Sequence, residues 1–368
     1  RAAGAVVLNH ARAERLLCEG RRVVGVEVVD TETGRRHEVR GRITVNAAGP
    51  WVDEVLASVG LGEQPRLIGG TKGTHLVVDP FPGAPQRDAM YYEAVTDARP
   101  MMVIPWLGRY LLGSTDERFV GDLDTASADE EEIAYILKET NRVLPKAGLT
   151  AEHILWSYTG VRPLPYQSDG PTSDIPRRHT VHDHEPALEG LLSVVGGKLT
   201  TFRSLAEDVN DHVLKRIGAK RRSLTRRLRL PGGNTLDFGQ FRQRYLASTH
   251  LPHEVAERLL RIYGVRSPAV EALVAEDPRL GEVIDEATHA IAAEVVFAAR
   301  HEFAVTLTDL VARRLMTGVS ADLGTASLER VAAVAERHLG WSSTRASEEL
   351  DAYLGYVKKF SPRTAIVR

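Results

Sequence analysis

The apolar residues of the first 60 positions occur in short β-branched runs, a pattern that predicts strands rather than helices. The predicted strands are residues 6–8, 23–29, 37–40 and 43–47. The second and third flank the turn-rich segment 30–34, so we expect them to form a hairpin. Helical spacing begins at Trp51, directly after Pro50, a residue that suits the first turn of a helix.

From Pro65 to about Leu164, short apolar runs alternate with turns rich in proline and glycine, which predicts an antiparallel sheet. The expected strands are residues 67–68, 75–78, 101–104 and 110–112. One helix interrupts this sheet, because Ser127 and Glu130 have the spacing of a capping box. The apolar stripe expected to face inward consists of Ile133, Ile136, Leu137, Thr140 and Leu144.

From Phe238 onward the apolar spacing is helical throughout. The predicted helices are residues 255–262, 268–275, 290–299, 309–316 and 328–339, with stops at Gly264, Gly318 and Gly340. Nothing in this part carries candidate chemistry, so we expect it to serve packing or subunit contact.

A basic run at residues 215–230, followed by Pro231, Gly232 and Gly233, breaks the composition and marks the expected domain boundary. The predicted domains are residues 1–228, with a substrate sheet at about 61–165, and residues 229–368. We interpret the basic run as a solvated linker; contact with an anionic membrane surface is the alternative.

Composition narrows the classes of function. The 368 residues suffice for two or three domains, and 47 basic against 49 acidic residues argue against a nucleic-acid binder. The single cysteine, Cys18, excludes an internal disulfide, fits a reducing cytoplasm and is expected to be a buried thiol. No apolar run approaches the roughly 20 residues that span a bilayer.

Candidate chemistry concentrates where a strand ends at Gly196 and Gly197 and a helix follows at once. Glycines permit a sharp turn and the close approach of a ligand. The unpaired N–H groups of a helix N-terminus suit an anionic or electron-rich group, and Lys198 stands beside them. An ordinary strand-to-helix turn with a solvated lysine is the alternative. The apolar face of this helix is predicted to comprise Leu199, Phe202, Leu205, Ala206, Val209 and Val213.

Six motifs in order extend this signal along the chain: residues 46–51 (NAAGPW), 73–75 (GTH), 104–106 (IPW), 113–116 (GSTD), 160–164 (GVRPL) and 193–203 (SVVGGKLTTFR). Together they resemble the FAD-dependent glycerol-3-phosphate dehydrogenase family, from Arg1 to the helical tail. The resemblance implies an α/β plus α+β fold: a partial FAD-binding, amino-acid-oxidase-like fold with an antiparallel substrate sheet and a C-terminal all-α cap domain.

The resemblance also implies an activity. FAD would accept a hydride from sn-glycerol 3-phosphate, giving dihydroxyacetone phosphate, and the electrons would pass to a quinone. A glycerol-3-phosphate oxidase that uses O2 and a truncated chain without cofactor or activity are the alternatives. A cytoplasmic protein, peripheral on the inner face of the cell membrane and homodimeric, fits the family.

The resemblance assigns roles to individual residues. Arg162, expected in a rigid turn between Gly160 and Pro163, would clamp the substrate phosphate through paired hydrogen bonds. Lys198 would hold the substrate hydroxyl or phosphate and favour negative charge on the flavin, a catalytic role, and Thr200 would also bind substrate. His75, whose ordinary pKa lies near neutrality, is the candidate base. The expected cofactor contacts are Ala48, Gly49, Trp51, Gly196, Gly197, Lys198, Leu199 and Thr200. The cluster His179, His182, Asp183 and His184 is interpreted as a polar loop rather than a metal site.

One expected motif is absent from the chain. The family opens with a strand, a Gly-x-Gly-x-x-Gly turn and a helix whose N-terminus binds the FAD pyrophosphate. No such sequence precedes the motifs above. We therefore expect the 368 residues to be an N-terminally incomplete part of a longer enzyme, inactive by itself.

Overall fold

The computed structural model describes residues 4–61 and 66–360, so the outer ends of both predicted domains lie outside the described residues. The chain divides into two compact units, Arg1–Arg227 and Leu228–Arg368. The division falls one residue before the boundary placed at 228 and lies inside the basic run at 215–230.

The N-terminal unit begins with an antiparallel sheet of three strands: β1 (Ala11–Glu19), β2 (Arg22–Asp30) and β3 (Arg36–Arg40). The predicted hairpin between β2 and β3 is confirmed, whereas residues 6–8 form no strand and their side chains are exposed. β1 was not predicted, because charged residues on its exposed face interrupt the apolar pattern of a strand; one of them, Arg15, pairs with Glu27 at 3.1 Å. Cys18 on this strand is exposed, so the expectation of a buried thiol was wrong.

A second sheet contains a parallel pair. β4 (Thr44–Asn46) runs parallel to β12 (Leu191–Val195), with Asn46 opposite Ser193, and β11 (Thr180–Asp183) pairs with β12 from the other side. Because the carboxyl ends of parallel strands share one edge, the turns after β4 and after β12 lie together. A 3-10 turn and helix α1 (Val52–Ala57) follow β4, and helix α3 (Phe202–Arg216) follows β12, as the sequence predicts.

The histidine cluster is only partly the polar loop that the sequence suggested. His182 and Asp183 belong to β11, and His184 directly after it is 8% exposed, with its Nε2 2.8 Å from the Ser193 hydroxyl. No group of three or more metal-ligating side chains occurs within the ranges that the structure describes.

The predicted substrate sheet is antiparallel, in the order β10–β5–β8–β7–β6, with β9 paired to β5. Its strands are β5 (Thr71–Val78), β6 (Met90–Glu93), β7 (Pro100–Trp106), β8 (Arg109–Gly113), β9 (Glu117–Arg118) and β10 (Ile154–Arg162). The predicted strand at 67–68 is a single bridge between Ile68 and Pro165. Pro65, the predicted start of the sheet region, lies outside the described residues.

Helix α2 (Glu130–Val143) packs on this sheet with Ile133, Ile136 and Leu137 buried, which confirms the predicted inward stripe. The capping box was assigned to the wrong residues. Asp129 accepts from the Glu132 amide at 2.9 Å, and the Glu132 carboxylate accepts from the Asp129 amide.

The C-terminal unit is built mainly from helices, as predicted, around a core that includes Phe297 and Tyr353. Its helices are α4 (Phe238–Ser248), α5 (His253–Tyr263), α6 (Ser267–Glu276), α7 (Ala292–His301), the π-helix Asp309–Arg314, α8 (Leu328–Leu339) and α9 (Ser343–Val357). It is not all-α, because β13 (Val283–Asp285) and β14 (Ala290–Ile291) form a small hairpin.

Two of the three predicted helix stops in this unit are confirmed. Gly264 and Gly340 end α5 and α8 with positive φ angles of 58° and 73°. Gly318 lies inside a later 3-10 turn, and Met316 takes the left-handed conformation after the π-helix instead. Among the described residues, no helix combines the length and apolar character needed to cross a membrane.

Candidate active site

A cavity of about 490 Å³ in the N-terminal unit brings together residues that lie far apart in the sequence. It is lined by Gly73, His75, Tyr158, Gly160, Val161, Arg162, Pro163, Leu164, Arg177, Gly197, Lys198 and Leu199. β5 and β10 are antiparallel neighbours with Gly73 opposite Gly160, and their pairing places His75 and Arg162 at the same wall. Pro163 accepts a hydrogen bond from the Gly196 amide at 2.9 Å, which fixes the glycine turn beside this wall.

Arg162 is the last residue of β10 rather than part of a turn, because Gly160 continues the strand. Its Nη1 donates to the Asp116 carboxylate at 3.0 Å, and its Nη2 donates to the Ser114 hydroxyl at 3.1 Å and the Thr115 carbonyl at 3.0 Å. The guanidinium crosses Gly73, where a Cβ would lie 2.5 Å from the Arg162 Cζ. Burial lowers the pKa of Arg162 and Asp116 opposes this, yet a guanidinium stays charged in proteins.

Arg177 is a second cavity arginine that the sequence reasoning missed. It lies in the irregular segment before β11, and its Nη2 donates to the Asp116 carboxylate at 2.8 Å. Asp116 therefore pairs with both cavity arginines. The only sequence signal was Asp116 itself, within the motif at 113–116, since nothing near Arg177 marks it as a partner.

An ionic cluster that contains the buried Lys72 and Glu132 joins this wall to α2. Lys72 Nζ lies 2.6 Å from the Asp129 carboxylate and 3.0 Å from that of Glu132, which is completely buried. Burial acts to lower the pKa of Lys72, but its hydrogen bonds to both carboxylates prevail and raise it. Glu132 also accepts from the Thr115 hydroxyl at 2.5 Å, and Thr115 in turn accepts from the Thr74 amide. β5, the strand that carries His75, is thus tied to α2.

His75 is the fifth residue of β5, not the start of a strand, and it lines the cavity. Its imidazole stacks on its cross-strand neighbour Tyr158, with ring centroids 4.9 Å apart and planes 4° from parallel. Nδ1 is buried without a hydrogen-bond partner among the described residues. Burial, and secondarily the charge of Arg162, lower the pKa of His75 to about 4, so the ring is neutral at pH 7.

The glycine turn after β12 has the geometry expected for a cofactor contact. Gly196 and Gly197 have φ angles of +75° and +98°, and a Cβ on Gly196 would lie 2.9 Å from the Arg178 carbonyl. The backbone N–H groups of residues 197–200 have no acceptor in the part of the chain that the structure describes. Four consecutive free donors fit the carbonyl edge of a flavin.

The predicted apolar face of α3 is not buried. Leu199 and Phe202 are 90% and 54% exposed, and no residue of the helix is fully buried. Apolar side chains beside free N–H donors match the mixed character of a flavin ring, so the residues present fit FAD.

The remaining predicted contacts do not line the cavity. Ala48, Gly49 and Trp51 follow β4 at the sheet edge shared with the glycine turn, where Gly49 has a φ of +60°. Trp51 is 38% exposed, and Thr200 is exposed beyond Leu199. Their assignment as cofactor or substrate contacts stays a prediction.

Comparison with known proteins gives matches along nearly the whole chain. A family model described as FAD dependent oxidoreductase matches residues 1–203, and one described as the C-terminal domain of alpha-glycerophosphate oxidase matches residues 223–346. A glycerol-3-phosphate dehydrogenase of Synechocystis is 38% identical over 371 residues, covering 97% of this chain and 66% of the relative. Glycerol-3-phosphate dehydrogenase 2 of Mycobacterium tuberculosis is 34% identical, with 96% and 60% covered. The chain thus spans about 60–66% of the length of these curated relatives.

A solved structure agrees with the fold. The glycerol-3-phosphate dehydrogenase from Bacillus halodurans complexed with FAD has a TM-score of 0.79 and 27% identity, with 98% of this chain and 70% of that chain covered. The predicted family resemblance and mixed fold with a helical C-terminal domain are confirmed, and FAD is confirmed as the family's cofactor. The chain belongs to the FAD dependent oxidoreductase family, and it is similar to glycerol-3-phosphate dehydrogenases over almost its entire length.

Proposed function

We propose that the protein carrying this chain oxidises sn-glycerol 3-phosphate to dihydroxyacetone phosphate, with FAD as the hydride acceptor. The observation that carries the proposal is the cavity in which Arg162, Arg177 and Lys198 meet His75 beside the glycine turn. The glycerol-3-phosphate dehydrogenases similar to this chain support the choice of substrate.

The charges at the cavity suit a phosphate monoester. Arg162, Arg177 and Lys198 line it, whereas Asp116, whose carboxylate pairs with both arginines, is buried. A guanidinium can donate two parallel hydrogen bonds to phosphate oxygens, and a lysine adds a mobile point charge. Arg162 and Lys198, with the Thr200 hydroxyl nearby, would hold the phosphate and orient the secondary alcohol.

When bound, FAD supplies the acceptor for the hydride that leaves the alcohol carbon. The free N–H groups of residues 197–200 would hold the flavin carbonyl edge and favour negative charge there. His75 Nε2 would accept the hydroxyl proton, since Nδ1 is enclosed by the protein. A bound phosphate dianion raises the pKa of a neighbouring imidazole, which would counter the effects of burial and Arg162.

We propose a quinone as the electron acceptor, because the similar proteins are named dehydrogenases. O2 is the second candidate, since the C-terminal match is to a domain of alpha-glycerophosphate oxidase. Peroxide formed in step with substrate oxidation would favour O2; reduction of a soluble quinone without peroxide would favour the dehydrogenase.

Use of a quinone requires access to lipid, so we also propose peripheral contact with the inner face of the cell membrane. The basic run at 215–230 supports this contact through attraction to anionic lipids, and Leu224 within it is 68% exposed. Co-sedimentation with anionic vesicles but not with neutral ones is the expected result; equal recovery with both would contradict it.

The experiment that tests the proposed reaction uses the full gene product loaded with FAD, under anaerobic conditions. Adding sn-glycerol 3-phosphate should bleach the flavin absorbance, and glycerol, which lacks the phosphate, should not. Arg162→Lys should raise the substrate concentration needed for bleaching, because an ammonium cannot form the paired hydrogen bonds. Equal bleaching by glycerol and glycerol 3-phosphate would overturn the assignment of substrate.

A further inference from the structure

Both carboxylate oxygens of Asp116 are occupied by arginines that face the cavity. Oδ1 accepts from Arg162 Nη1 at 3.0 Å, and Oδ2 accepts from Arg177 Nη2 at 2.8 Å. Asp116 is only 7% exposed and does not line the cavity. The carboxylate therefore stands behind the two guanidinium groups, where it can set their separation without touching a ligand.

Asp116 is itself held in place by its backbone. Its carbonyl accepts from Arg99 Nη2 at 3.1 Å and from the Thr172 hydroxyl at 3.2 Å. These two bonds come from the β7 side of the sheet and from the segment that precedes Arg177. The acceptor that spaces the two arginines is thus fixed from two directions.

The two arginines depend on Asp116 to different extents. Arg162 keeps hydrogen bonds to Ser114, Thr115 and the Lys72 carbonyl. Arg177 is 40% exposed in its side chain, and Asp116 is its one hydrogen-bond partner within residues 4–61 and 66–360. Without the carboxylate, the Arg177 side chain would sample many rotamers, and the two like charges would repel each other.

We propose that Asp116 is a positioning residue for phosphate binding, which holds Arg177 against Arg162 before the substrate arrives. The proposal rests on the proposed function for its substrate. When side chains are already ordered before the substrate arrives, binding loses less side-chain entropy and the affinity is higher. Charge also matches: Arg162, Arg177 and Lys198 with Asp116 leave two net positive charges, equal and opposite to a phosphate monoester dianion.

The test compares Asp116→Asn with the native full-length, FAD-loaded protein. Asparagine keeps the size of the side chain but removes the charge that attracts both guanidinium groups. We expect the KM for sn-glycerol 3-phosphate to rise about tenfold while kcat changes less than about twofold, the signature of lost ground-state binding. The inhibition constant of inorganic phosphate should rise in parallel. Asp79→Asn is the matched control, since Asp79 pairs with Arg109 at 3.6 Å, neither residue lines the cavity, and the change should alter neither constant.

A double-mutant cycle separates positioning from a merely structural ion pair. If Asp116 acts mainly through Arg177, then Asp116→Asn should change the KM of an Arg177→Gln protein by less than about twofold. Independent effects would multiply and would overturn the proposal, as would an unchanged KM or a loss confined to kcat. If the asparagine variant fails to fold, Asp116→Glu keeps the charge but shifts it by one methylene, and an unchanged KM there refutes the proposal equally.

The failure of this proposal can be told apart from failure of the proposed reaction. Titration of the proteins with inorganic phosphate measures the anion site without any turnover. If glycerol 3-phosphate does not reduce the native flavin, the reaction is wrong. Weaker phosphate binding by Asp116→Asn would still support the positioning role, and equal binding would overturn it.

Discussion

Gly73 is the position at which the smallest change should do the most damage to the candidate site. The guanidinium of Arg162 lies directly over its Cα, and a Cβ built there would come 2.5 Å from Cζ and from Nη1. The guanidinium is the far end of a long side chain, but it cannot swing aside at low cost because it makes four hydrogen bonds where it lies. Gly73→Ala therefore requires the guanidinium to leave its place.

The loss in stability depends on the hydrogen bonds that the displaced guanidinium gives up. Displacement breaks the charged bond to Asp116 and those to Ser114 and Thr115, and a hydrogen bond to a charged group contributes about 1.5–3 kcal/mol. Alanine recovers about 0.5–1 kcal/mol, because glycine loses more entropy when a strand forms. With all three bonds lost, we expect the free energy of unfolding to fall by about 4–8 kcal/mol. For a unit of this size, each kcal/mol lowers the melting temperature by about 2–4 °C.

Gly160 provides a matched control, since it lies opposite Gly73 on the neighbouring strand and its Cβ would meet nothing within 4 Å. Calorimetry of the two variants should show a lower transition for Gly73→Ala in the N-terminal unit and an equal or higher one for Gly160→Ala. Gly73→Ala should also weaken phosphate binding. If Gly73→Ala has the melting temperature and the phosphate affinity of the native protein, the prediction is wrong, because Arg162 then tolerates displacement at no cost.

Three further outcomes follow from buried groups. Lys72→Met leaves the fully buried Glu132 without its cation and should destabilise the N-terminal unit by about 3–5 kcal/mol in urea unfolding; a loss below about 1 kcal/mol would contradict the role of the pair. Glu294→Gln breaks the buried bidentate pair with Arg258 and should destabilise the C-terminal unit by a similar free energy, seen in calorimetry as a lower transition temperature. An unchanged transition temperature would contradict the stabilising role of this pair. Burial lowers the pKa of His184 to about 4, below the ordinary value of about 6.5, so the unfolded state binds more protons between these values and stability should fall as the pH drops from about 6.5 to 4. His184→Gln should show a weaker pH dependence across that window, and an identical slope would contradict this explanation.

Local chemistry explains what the sequence could predict. The β-branched run before Gly196 and Gly197 and the helical spacing after them mark a strand, a turn and a helix without reference to the rest of the fold. The stripe of α2 was equally predictable, since four of its predicted positions are buried against one sheet. In both places, the neighbours along the chain decide the structure.

Errors arose where distant residues decide. Gly160 and Pro163 around Arg162 resemble a turn, but pairing with β5 keeps Gly160 extended, and β10 runs on to Arg162. Arg177 carried no local signal, because its partner Asp116 lies 61 residues earlier and only the folded sheet brings them together. The stripe of α3 was recognisable as apolar, yet its exposure depends on what packs there and could not be read from spacing.

The decisive experiment for the proposed reaction is the anaerobic flavin spectrum of the full gene product during titration with sn-glycerol 3-phosphate. We expect bound FAD whose absorbance bleaches as substrate is added, with one dihydroxyacetone phosphate formed for each flavin reduced. FAD that stays oxidised at saturating substrate, in a protein that still binds inorganic phosphate at the arginine pair, would contradict the claim and leave only an anion-binding flavoprotein.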